Sequence, residues 1–187
     1  MGIIVKLTDL IEVQRTVNSI IKEKLEKPVT NKEFILAFNV ELFEYFNAIG
    51  IWKWWKHSHE IVKERVLDEL ADCFAFFLSL LDNQEQYLLE SGQESIIGRV
   101  ENEINFLIDN LEAERERMGA SEEEVVAELI LHIGTDNENE ESVYSTERFA
   151  VAIYLATLLF PGITWEEMTE AYLTKSQENI NRQERNY

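Results

Sequence analysis

The sequence predicts an all-α protein, a bundle of six or seven helices in one domain. Three observations carry that prediction. Helix breakers are scarce: the 187 residues include two prolines, Pro28 and Pro161, and seven glycines. Three stretches, "TNKE" from Thr30, "SEEE" from Ser121 and "TWEE" from Thr164, put Ser or Thr three residues ahead of Glu. At that spacing the two side chains satisfy the unpaired amides of a helix start. No stretch shows the period-two alternation of a half-buried strand.

The elements follow in order. Thr8 or Asp9 opens a first helix that runs to about Leu25. Thr30 and Glu33 cap a second, which continues to about Ile49, where Gly50 ends it. A loop carrying "WKWWKHSH" follows, and a third helix starts near Glu60 and passes Leu81. "ESIIGRVENEINFLIDNLEAERERMG" reads as an amphipathic helix closed by Gly119. Ser121 and Glu124 cap the next, over "VVAELILHI", and "TDNENEES" from Thr135 to Ser142 is a strongly polar loop. A short buried helix spans Thr146 to Phe160 and stops at Pro161-Gly162. Thr164 and Glu167 cap the last, which reaches about Arg182. Residues 84–145 are more charged than their flanks and read as a helical insertion on a core built from both ends of the chain.

Composition narrows the function classes. With 45% hydrophobic and 28% charged residues, the chain can bury one sizeable core and is not disordered. The formal net charge is −19 and no large Lys/Arg cluster exists, which argues against a nucleic-acid partner, because phosphate contacts dominate such binding. A phosphorylated small molecule stays open, provided a divalent cation lies between it and the acidic groups. The single cysteine, Cys73, reads as a buried thiol and fits a reducing, cytoplasmic setting. The N-terminus lacks the pattern of a signal peptide. Phe34 to Trp52 is apolar enough to suggest a membrane span, but Glu41 and Glu44 at its centre argue against one.

Those two residues raise the chemical question. Glu-x-x-Glu recurs among 36 acidic residues, at Glu23/Glu26, Glu138/Glu141 and Glu167/Glu170, always in charged surroundings. Glu41 and Glu44 differ, being the only charged residues between Phe34 and Trp52. On a helix, Glu41 shares a side with Phe34, Phe38, Tyr45 and Ala48, and Glu44 lies beside it. "DELADCFAFFLSLL" supplies a second pair, Glu69 and Asp72, on a face with Phe76 and Leu80. Unpaired charge on an apolar face is expensive. Four carboxylates together need cations, and Mg²⁺ or Mn²⁺ suits hard oxygen ligands. Pairing with lysine or arginine, or a place at the helix edge, is the alternative that spacing leaves open.

The pattern Glu41-x-x-Glu44, then 24 residues, then Glu69-x-x-Asp72 resembles the all-α nucleoside triphosphate pyrophosphohydrolases, MazG-like enzymes among them, and within these the dimeric dUTPases. Their "FK-x-WK" segment is matched by Trp52-Lys53-Trp54-Trp55-Lys56. Their N-terminal glutamine, with Asn or Asp four residues on, is matched by Gln14 and Asn18. Their C-terminal signature is matched in register by Tyr172, Lys175, Asn179, Arg182 and Gln183, but Asn186 stands where glycine is usual. The likeness spans roughly residues 10–82 and 146–187 and is not clear over 84–145, a region that varies in that family.

The resemblance implies a Mg²⁺-dependent hydrolysis of dUTP to dUMP and pyrophosphate by a homodimer, which limits uracil entry into DNA. Glu41, Glu44, Glu69 and Asp72 would hold the ions, and one glutamate, Glu44 among the candidates, would orient or deprotonate the attacking water. Lys175 and Arg182, with Asn179 between them, lie on one helix face and suit phosphates, and Lys53 and Lys56 could also reach them. Gln14 and Asn18 offer both donor and acceptor to uracil's polar edge. Trp52 and Trp55 could stack on the base or wall the site. His57, His59 and His132 have no metal-ligand spacing and receive no role. Two rival readings remain: the same chemistry on dCTP or another noncanonical nucleotide, with dUDP a further substrate to consider, and a non-catalytic helical interaction module.

Overall fold

The computed structural model describes residues 3–50, 53, 55, 60–135 and 143–185. These form seven helices and no strand: α1 (Thr8–Lys22), α2 (Asn31–Ile49), α3 (Lys63–Glu90), α4 (Ile97–Met118), α5 (Glu122–Thr135), α6 (Val143–Leu159) and α7 (Trp165–Glu184). The start signals act as the sequence predicts. Reciprocal hydrogen bonds join Thr30 to Glu33 and Thr164 to Glu167, and Ser121 and Glu124 bond each other in the same way. Gly50 and Gly119 end α2 and α4 in left-handed conformation, with φ of 61° and 62°, where a Cβ would be strained.

Three boundaries differ from expectation. Helix α1 stops at Lys22 rather than Leu25, and residues 22–28 are exposed, so no apolar face remains to hold another turn. Helices α3 and α6 start at Lys63 and Val143 rather than near Glu60 and at Thr146, and α3 runs past Leu81, as the sequence predicts, to Glu90, because no glycine or proline interrupts it before Gly92. The expected start of the insertion at residue 84 therefore falls inside α3. Helix α4 also joins the main core through Val100, Ile104 and Ile108. It is pinned to the N-terminal segment, where the Val5 amide donates to Asn105 Oδ1 at 2.8 Å and the Leu7 amide to Glu101 Oε2 at 2.7 Å.

Helix α3 is the central member and packs against α1, α2, α6 and α7. Helix α2 runs antiparallel to it: Asn31 meets Asn83 at one end, and Phe38 meets Phe77 further along. Helix α7 runs parallel, with Glu167 on Lys63 and Lys175 beyond it on Asp68 and Asp72. An aromatic cluster locks these directions. Phe74 lies 4.8 Å from Phe149, 5.5 Å from Trp165 and 5.8 Å from Tyr172, and Phe77 stacks on Phe149 at 4.1 Å. Each buried ring contributes about 1.5–3 kcal/mol. Phe74 follows Asp72 by two residues, so the packing that orients the ring also fixes the bearing of that carboxylate. Among the described residues, no helix is long and apolar enough to cross a membrane.

Candidate active site

The antiparallel pairing of α2 and α3 turns carboxylates of both helices toward one point. Glu41, Glu69 and Asp72 each present a carboxylate oxygen, and these atoms lie within 4.8 Å of one another. All three residues are half-buried. Burial and then the charges of Asp72, Glu44 and Glu69 push the Glu41 carboxyl up to about 7, with Lys175 opposing. Glu69 is raised by burial and then by Glu44, Asp72 and Asp68. Asp72 is raised by burial in spite of a hydrogen bond from Lys175. The cluster thus carries like charges that the protein itself only partly neutralises. That donor set fits a hard divalent cation, which would remove the repulsion.

Glu44 stands outside this trio. Three residues along a helix is 300° of turn, so its side chain lies 60° away from Glu41 and is exposed, though its charge still acts on Glu41 and Glu69. The sequence overlooked Asp68, one turn before Asp72. Lys175 Nζ lies 2.8 Å from Asp68 Oδ2 and 2.8 Å from Asp72 Oδ2, and only 13% of its side chain is exposed. Burial works against the Lys175 charge, but the two carboxylates prevail and raise its pKa. The signal for Asp68 lay in its i, i+4 spacing to Asp72, but nothing in the sequence brings α7 beside that face.

Gln14 and Asn18 occur in a buried polar network two turns further along α3. Gln14 Nε2 donates to Asn18 Oδ1 and to Ser79 Oγ, both at 3.0 Å. Ser79 Oγ also donates toward Asn18 Oδ1 at 3.0 Å, and Tyr172 donates its hydroxyl to Gln14 Oε1 at 2.9 Å. Burial pushes the Tyr172 hydroxyl up to about 12, so it stays a donor at neutral pH. Among the described residues, no buried side-chain nitrogen or oxygen lacks a partner. Ser79 and Tyr172 are thus partners the sequence did not assign. Ser79 lies seven residues past Asp72, about 10 Å along α3.

The remaining candidates surround these groups unequally. Arg182 is exposed, meets Glu178 at 3.8 Å and lowers the pKa of Asp72 by its charge. Asn179 is half-buried one turn before Arg182. Lys53 donates to the Asn47 carbonyl at 2.6 Å, and Trp55 is 52% exposed. Trp52, Trp54, Lys56, His57 and His59 lie outside the described residues, as does Asn186. Cys73 is buried, and burial first among its causes holds its thiol well above the usual range, so it is a packing group.

An all-helical bundle whose paired central helices turn acidic side chains inward beside a lysine accords with the class the motifs resemble, the all-α nucleotide pyrophosphohydrolases. A family model described as dUTPase matches residues 6–187. The chain therefore belongs to the dUTPase family, and its activity is the hydrolysis of dUTP to dUMP and pyrophosphate. The match takes in residues 84–145, over which the motifs alone gave no clear likeness. It also sets aside the reading of a non-catalytic interaction module. No curated protein matches the chain.

Proposed function

We propose that this dUTP diphosphatase works with Mg²⁺ held by Glu41, Glu69 and Asp72, with Glu44 at the edge of the same site. The observation that carries the reading is the convergence of three half-buried carboxylates within 4.8 Å, with their pKa values raised. A cation there supplies charge neutralisation for the phosphates and a more acidic water for attack on phosphorus.

The chain's own residues do the rest. Lys175 and Arg182, seven residues and about 10 Å apart along α7, bind the phosphate chain. Asn179, between them, bonds the sugar. Glu44, exposed beside the trio, orients the attacking water and accepts its proton. Asn18 reads the polar edge of uracil, and Gln14, itself held by Ser79 and Tyr172, fixes the Asn18 amide from behind, so the base meets a fixed polar edge. Lys53 and Lys56 add to the phosphate contacts, and Trp52 and Trp55 close the site around the base.

Two further features belong to this reading. Leu36, Val40 and Phe43 lie at helical spacing on α2 and are 65%, 47% and 54% exposed, an apolar stripe that a second copy of the chain would cover in a homodimer. Residues 84–145 form the family-variable part of one domain. A free buried Cys73 accords with the cytoplasm as the site of action.

The test is pyrophosphate and monophosphate release from dUTP, dUDP, dCTP, dTTP and UTP, each with Mg²⁺ and with chelator. Cleavage of dUTP that needs Mg²⁺ supports the reading, and dUMP from dUDP extends it. Undiminished cleavage in chelator removes the metal from it.

A further inference from the structure

Asp68 and Asp72 are one turn apart on α3, and like charges at that spacing repel. Lys175 reaches across from α7 and bridges them, with Nζ at 2.8 Å from each. The two contacts differ in kind. The Asp72 side chain is 20% exposed and belongs to the converging trio, whereas the Asp68 side chain is 58% exposed and lies outside it. Lys175 and Asp68 also line a cleft between α3 and α7, with Leu67, Ala171, Thr174 and Glu178, so the ammonium has space on the Asp68 side. A cation arriving at the trio draws on the Asp72 carboxylate, whose Oδ2 the ammonium holds, so the two positive charges compete for it.

We infer that Asp68 is a positioning residue: it takes over Lys175 when a divalent cation claims Asp72. This rests on the metal reading given under the proposed function. With Asp68 present, cation entry breaks one of the two ion pairs of Lys175 and leaves the ammonium anchored at the edge of the site, facing the phosphates. Without Asp68, the ammonium has no second anchor and competes fully for Asp72.

Equilibrium Mn²⁺ binding without nucleotide, read from the electron paramagnetic resonance of free Mn²⁺, tests this in four proteins: wild type, Asp68→Asn, Lys175→Met and the double variant. Asp68→Asn should bind Mn²⁺ about threefold to fivefold more weakly than wild type, the range of one partly exposed ion pair. Lys175→Met should bind it more tightly. In the Lys175→Met background, Asp68→Asn should have almost no effect, because its action passes through the ammonium. If the loss persists undiminished in that background, Asp68 acts only by its charge and the inference falls. If wild type binds Mn²⁺ and Asp68→Asn matches it, the inference falls alone. If wild type binds no Mn²⁺, the metal reading falls and takes this inference with it. Unchanged far-ultraviolet circular dichroism shows that each variant is folded.

Discussion

Without divalent cation, raising the pH from 5 to 8 should destabilise this protein through Glu41. Its carboxyl is raised from 4.5 to about 7, by burial first and then by Asp72, Glu44 and Glu69. Between those values the folded chain holds a proton that the unfolded chain releases. The associated stability is therefore fully present below about 4.5 and lost as the pH rises through 7. A shift of that size corresponds to about 3 kcal/mol. Glu41 is only half-buried, and solvent screening reduces this to roughly 1–2 kcal/mol. For a domain of this size that is a fall in Tm of roughly 2–8 °C. Glu69 and Asp72 are raised as well and add to the slope in the same direction. The assay is thermal unfolding by circular dichroism at four pH values in chelator, for wild type and Glu41→Gln. The variant should show a flatter profile, and Mg²⁺ at 100 times its Kd should return about 2.7 kcal/mol to wild type at pH 8. An equal pH slope in both proteins would refute the reasoning, as would a wild-type Tm that rises across the range.

Three further outcomes are expected. Tyr172→Phe removes the donor to Gln14 Oε1 at a buried position, and should cost about 1–3 kcal/mol in urea unfolding and raise KM for dUTP more than it lowers kcat. Thr164→Ala removes the cap at the start of α7 and should cost about 1 kcal/mol, seen as a lower Tm. Phe43→Glu places a charge in the exposed stripe of α2 and should convert a dimer to a monomer in sedimentation velocity.

What the sequence made legible follows from where each signal resides. The capping boxes at Thr30, Ser121 and Thr164 and the helix ends at Gly50 and Gly119 are local chemistry, and all of them act in the structure as they read. Glu41, Glu69 and Asp72 stood out because each interrupts or borders an apolar run, and the structure brings them together. Glu44 passed the same sequence test, but the turn of the helix carries it to an exposed position beside the trio. The spacing of Asp68 to Asp72 was visible but did not stand out among charged neighbours, and only the packing of α7 on α3 gives it Lys175. Gln14 and Asn18 read as a polar helix face open to a base. The structure buries them against Ser79 and Tyr172, residues 65 and 158 positions away from Gln14, beyond any local pattern. The run of α3 past Leu81 was legible, but the start of the insertion at residue 84 was placed inside the helix, because "NQEQYLLE" shifts toward polar residues before the first stop signal at Gly92.

The most direct test of the central claim, that α2 and α3 supply the metal site for dUTP hydrolysis, is the rate of pyrophosphate release by wild type and Glu69→Gln across a Mg²⁺ titration. Glutamine keeps the size of the side chain and removes its charge, so the variant should fold, with no loss of Tm in chelator. The account predicts Mg²⁺-dependent turnover by wild type and a loss of at least about a hundredfold in the variant at every Mg²⁺ concentration, the scale of removing one electrostatic group from a preorganised site. Turnover by Glu69→Gln at the wild-type rate would contradict it.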